Sequence, residues 1–161
     1  MNELTPLREA REWVRDGARS GGVLCPCCGQ RAQEYRRPLN ASMTRSLVLM
    51  YAKAGTEWIN VPADVGARSR EEGKLRYWGL ITEDGAAGAH TGWWRVTERG
   101  AAFVRKELLV LKFAVIYDQT LLRLEGPYVG VRECLNTKFN LEQLLADHTG
   151  EPPVREDEET D

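Results

Sequence analysis

Apolar positions in the first twenty residues recur at helical spacing. Leu7, Ala10, Trp13 and Val14 fall on one side, and arginines and glutamates on the other. Thr5 followed by Pro6 supplies a cap and a first-turn proline, and Gly21-Gly22 a stop, so this pattern predicts a helix from about Pro6 to Arg19. A second run, free of glycine and proline and holding Leu47, Val48, Met50 and Tyr51, predicts a helix from Ser42 to Ala54 that ends at Gly55. Trp58-Ile59-Asn60-Val61 reads as a short extended piece stopped by Pro62, and Pro62 to Val65 as a brief helix broken by Gly66. Ser69-Arg70-Glu71-Glu72 fits the S-x-x-E capping box, which starts a helix running to about Trp78 with Leu75 and Trp78 inward.

After Gly79 the period changes from helical to extended. Leu80-Ile81-Thr82 and Trp93-Trp94-Arg95-Val96 read as two strands joined by a loop holding Gly85, Gly88 and Gly92. Thr97-Glu98-Arg99-Gly100 then opens a helix through Glu107. Lys112 to Tyr117 and Thr120 to Leu124 flank Asp118-Gln119, which predicts a tight hairpin. A short strand over Tyr128 to Val131, a helical turn with Cys134 and Leu135, and a helix from Asn140 with Leu141, Leu144 and Leu145 on one side complete the pattern.

Helix, short strand, helix, turn, helix, hairpin, helix is the order of a winged helix-turn-helix. The expected fold class is α+β. A helix and a cysteine knuckle occupy 1–39, the winged-helix domain 40–107, a ββ(β)α appendage 108–149 and a disordered acidic tail 150–161. Leu75-Arg76-Tyr77-Trp78-Gly79-Leu80-Ile81, the glycine-rich wing and Trp94-Arg95-Val96-Thr97-Glu98-Arg99-Gly100 resemble winged-helix regulators of the MarR and PadR kind, which often close the wing with a threonine, two variable residues and a glycine. A wider resemblance takes in CPCCG, Tyr35-Arg36-Arg37, Leu39-Asn40 and Gly92-Trp93-Trp94-Arg95-Val96-Thr97. Over most of its length the chain is similar to uncharacterised proteins of actinobacterial phages and prophages, which implies a cytoplasmic, phage-related setting and carries no activity.

Charge adds a direction to this picture. The 161 residues have a formal net charge of −2, but 31–79 hold nine basic against five acidic groups and 113–161 four against eleven. A basic middle with an acidic end suits a module facing nucleic acid. On a helix from Ser69 to Trp78, Arg70, Lys74 and Tyr77 share one stripe, and Gly73 would allow close approach to a groove. Arg68 before the cap, Arg95 in the wing, and Arg36 and Arg37, with Arg31 and Arg45, extend the expected phosphate-binding surface. Four carboxylates, Glu71, Glu72, Glu83 and Asp84, oppose DNA unless turned aside. The tryptophans Trp58, Trp78, Trp93 and Trp94 read as core and hairpin residues.

Four cysteines and the absence of an export signal or an eighteen-residue apolar run point to a reducing compartment with no membrane partner. There, close cysteine spacing favours metal ligation over a disulfide. Cys25 and Cys28 in Cys25-Pro26-Cys27-Cys28-Gly29 resemble the knuckle of zinc ribbons and rubredoxin-like sites. A structural zinc wants four ligands; Cys27, Cys134, His90 and His148 are the remaining candidates, unless a dimer shares the site or the knuckle is metal-free. A redox CxxC would want a strand before it inside a βαβ unit, which the pattern lacks. With two histidines and no phosphate loop, nucleophile elbow or paired-carboxylate motif, the chain is not expected to be an enzyme. Double-stranded DNA is the expected partner, for a transcriptional regulator. The alternative is a protein-binding module, docking on a host or phage protein as an inhibitor.

Overall fold

The computed structural model describes residues 4–65, 71–84 and 92–146; Arg68, Ser69, Arg70, His90, His148 and the acidic tail lie outside them. In chain order the elements are α1 (Leu7–Arg19), β1 (Val23–Leu24), β2 (Arg31–Ala32), β3 (Tyr35–Pro38), α2 (Ala41–Ala54) and β4 (Ile59–Asn60). A wide turn (Val61–Val65) and a 3₁₀ helix (Glu72–Trp78) follow, then β5 (Ile81–Glu83), β6 (Trp93–Val96), α3 (Glu98–Val104), β7 (Val110–Tyr117), β8 (Thr120–Val129), α4 (Val131–Leu135) and α5 (Leu141–Ala146). The fold is α+β with antiparallel sheets ordered β1-β2, β3-β7-β8 and β4-β6-β5. No described helix is long and apolar enough to cross a membrane.

The chain divides into two compact units, 1–38 with 113–126, and 39–112 with 127–161. In the first, Pro6 occupies the cap position of α1, and α1 buries only Ala18; Leu7 and Trp13 of its expected inner face are exposed. β1 and β2 form a hairpin whose turn is the cysteine segment. β3 pairs with β7, placing Arg36 opposite Val115 and Pro38 opposite Phe113. Sequence patterning missed β3 because its four residues are all exposed and carry no alternation. The reversal after Tyr117 puts Asp118 and Gln119 at φ 49° and 59°, the two positive angles of a type I′ turn. β8 then runs unbroken to Val129, absorbing the short strand expected from Tyr128.

The second unit is built around α2. Asn40 caps it through Oδ1, which accepts from the Met43 amide, and Gly55 at φ 58° ends it. Met43, Leu47, Val48, Leu49 and Met50 are all buried, because α3, α4, α5 and the 3₁₀ helix pack around α2. A helix covered on most sides has no polar face to display, so its apolar positions form a run rather than a stripe. Leu75, Trp78, Leu80, Phe103, Val104 and Leu135 close the core, and the buried Trp78 indole donates to the Leu111 carbonyl at 2.8 Å.

Candidate nucleic-acid interface

β6 alternates. Val96 is buried and Trp94 half-buried on one face, whereas Trp93 and Arg95 point the other way into solvent. Ile59 pairs with Trp94 and Asn60 with Trp93, so Trp58 stands cross-strand to Arg95, whose guanidinium lies 5.1 Å from the indole centroid. Trp58 and Trp93 are 40% and 42% exposed. The outer face of the β4-β6-β5 sheet therefore presents two indoles and a cation, while Trp78 lies in the core and Trp94 is half-buried on the inner face of the hairpin strand. The signal was present in the sequence: the strand Trp93-Trp94-Arg95-Val96 must send Trp93 to the same side as Arg95.

The segment expected to carry the recognition stripe winds more tightly than an α-helix. With three residues per turn, Glu71, Lys74 and Tyr77 stack along one edge. Lys74 Nζ donates to Glu71 Oε1 at 2.7 Å, and the lysine side chain is only 27% exposed, so its charge is answered locally. Arg76 Nη2 donates to the Tyr77 hydroxyl at 3.3 Å with its guanidinium 5.0 Å from that ring. Glu72 turns inward, and its Oε1 accepts from Ser46 Oγ at 3.3 Å. Gly73 faces Trp94, and an added Cβ there would sit 3.5 Å from that ring, in ordinary van der Waals contact. Two of the four opposing carboxylates are thus withdrawn, one by burial and one by pairing, at the expense of Lys74.

Arg36 and Arg37 belong to the first unit. The Arg36 guanidinium covers the Phe113 ring at 3.7 Å and reaches Glu125 at 3.5 Å; Arg37 lies 5.5 Å from the Tyr35 ring. Arg31 donates to the Gly21 carbonyl and to Gln33, and Arg45, in the second unit, lies 5.6 Å from the Phe139 ring.

The cysteine turn is closed by the Cys25 amide donating to the Gln30 carbonyl at 2.7 Å and the Gly29 amide donating to the Cys25 carbonyl at 2.9 Å, with Gly29 at φ 72°. The backbone amides of Cys28 and Cys27 donate to Cys25 Sγ, and this holds the thiol below its ordinary pKa. Cys27 and Cys28 are exposed. β1 precedes the motif but returns as a hairpin, so the βαβ setting of a redox CxxC is not formed here. Cys134 lies in α4 of the second unit, where burial pushes its thiol up to about 11. Among the described residues no group of three or more histidine, cysteine, aspartate or glutamate side chains is arranged to hold a metal.

Comparison with protein-family models, with curated proteins and with solved structures returns no match for this chain.

Proposed function

We propose that the second unit contains a winged-helix module that binds double-stranded DNA, serving as a phage- or prophage-type transcriptional regulator. The observation that carries this reading is the strand order β4-β6-β5. The first strand, from between two helical segments, pairs with the returning strand of the β5-β6 hairpin, the pairing expected of a winged helix. The cationic contact shifts from Lys74 to Arg95. Arg95 sits on the hairpin beside two exposed indoles, and Arg76 stands exposed on the 3₁₀ helix. The regulatory role and phage setting rest on the sequence resemblance alone.

The test is fluorescence anisotropy of the full chain with labelled duplex DNA over a salt series. Wild-type affinity should fall steeply with salt, and Arg76→Ala with Arg95→Ala should weaken binding about tenfold and lower the slope by about two. Absence of salt-dependent binding would overturn the reading. A second reading has its own support: tryptophan and arginine exposed together are the side chains that anchor protein interfaces. If DNA is ignored, Trp58→Ala and Trp93→Ala should instead weaken capture of a protein partner.

A further inference from the structure

We propose that Cys25 and Cys28 form half of a tetrathiolate zinc site, completed by the same pair from a second copy of this chain. The inference belongs to the first unit and is independent of the DNA reading. The β1-β2 hairpin reverses tightly enough to bring both residues to its tip, with the turn fixed by the two backbone hydrogen bonds across Cys25. The amides of Cys28 and Cys27 already point at Cys25 Sγ, and the thiols of Cys28 and Cys27 lie within its hydrogen-bonding reach. Amide donors aimed at sulfur are what a bound thiolate needs from its surroundings.

Zinc takes four ligands at a structural site, and among the described residues no group of three or more histidine, cysteine, aspartate or glutamate side chains is arranged to hold one within a single chain. Glu12 and Glu34 of the same unit are engaged with Arg8, Arg19 and Arg123. Two chains related by a two-fold axis through the metal would supply four thiolates, and such an interface is necessarily self-complementary. Two features flanking the turn suit it. Leu24, beside Cys25, is 59% exposed, and Leu7 on the uncovered side of α1 is 61% exposed. Leu7, Val14, Arg11 and Arg15 line a cavity of about 280 Å³ together with Cys25 and Cys27. Pairing two copies would cover this apolar surface, and the arginines would offset the net charge of −2 on a zinc tetrathiolate. Binding displaces four thiol protons per ion.

The full chain should be purified under reducing conditions with zinc, and its metal content and molar mass measured together by plasma mass spectrometry and light scattering. The expected result is one zinc per two chains in a dimer, with a chelator or Cys28→Ser returning a metal-free monomer and Cys27→Ser leaving the dimer intact. Cobalt loaded into the wild-type chain should give the intense bands of a tetrahedral thiolate site, a readout that does not depend on any variant folding. No retained metal, one zinc per monomeric chain, an octahedral cobalt spectrum, or a dimer that survives chelation would each overturn the proposal.

Discussion

Gly100 holds a position where even one carbon is too many. An added Cβ would meet the Leu80 carbonyl oxygen at 2.1 Å and Val96 Cγ1 at 2.8 Å. That oxygen is fixed, because it accepts from the Thr97 amide, while Thr97 Oγ1 donates to the Gly79 carbonyl at 2.6 Å and accepts from the Gly100 amide. A threonine and a glycine three residues on are therefore one device: the hydroxyl caps α3, and the bare Cα lets α3 press on the backbone entering β5. Alanine gains about 1 kcal/mol in helix propensity but costs more through overlap with an immobile backbone, so Gly100→Ala should lower stability by about 2 kcal/mol net. Urea unfolding followed by tryptophan fluorescence checks this, and a variant as stable as wild type would refute the packing argument. Cys134 makes a second prediction at this scale. Burial first, with a smaller contribution from Glu133, raises the thiol from 9.0 to about 11 against the opposing hydrogen bond from Thr44. Above pH 9 the unfolded chain loses this proton while the folded chain keeps it, so the folded state binds more protons and stability falls as pH rises. The contribution is fully present below about pH 9 and lost by about pH 11, amounting to no more than about 2 kcal/mol. Unfolding midpoints at pH 8 and pH 10.5 should diverge for wild type more than for Cys134→Ala; equal divergence would mean the thiol stays hydrated.

Between residues, the elements show which patterns the sequence could and could not express. The end of α2 at Gly55 and the strand over Trp93 to Val96 were legible because each depends on local chemistry, a left-handed glycine and an alternation. β3 was illegible because its partner, β7, is more than seventy residues away and its own side chains are all exposed. The 3₁₀ winding of Glu72–Trp78 was also hidden. A capping box and an inward Leu75 and Trp78 suit either winding, yet α spacing groups Arg70, Lys74 and Tyr77, whereas 3₁₀ spacing groups Glu71, Lys74 and Tyr77 and creates the Glu71–Lys74 pair. The β7-β8 hairpin offers a direct test of turn chemistry. Asp118 and Gln119 both take positive φ, and glutamine has no local compensation for that angle comparable to glycine's freedom from Cβ strain. Gln119→Gly should therefore stabilise the hairpin by about 0.5–1 kcal/mol, visible as a higher melting temperature. A lower one would show that the glutamine side chain contributes more than the strain it bears.

Over the whole molecule, charge is distributed so that one end of the chain opposes the partner proposed for its middle. Residues 151–161 carry six carboxylates and one arginine, and their removal takes the formal net charge from −2 to +3. Long-range repulsion between this segment and a phosphate backbone acts through solvent and decays over about 10 Å at 0.1 M salt. It should therefore weaken association with DNA at low ionic strength and vanish at high. In the proposed complex the two exposed indoles beside Arg95 would add apolar contact that salt screens far less, because it acts at short range. These two contributions separate experimentally. Truncation after residue 150 should tighten duplex binding several-fold at 50 mM salt and leave it unchanged at 300 mM, mainly through a faster association rate. Trp58→Ala should weaken binding at both salts through faster dissociation. Stopped-flow association and dissociation rates at the two salt concentrations decide the matter. A truncation that changes nothing at low salt would mean that the acidic segment does not compete with the phosphates, and a Trp58→Ala effect confined to low salt would remove the indole from the contact.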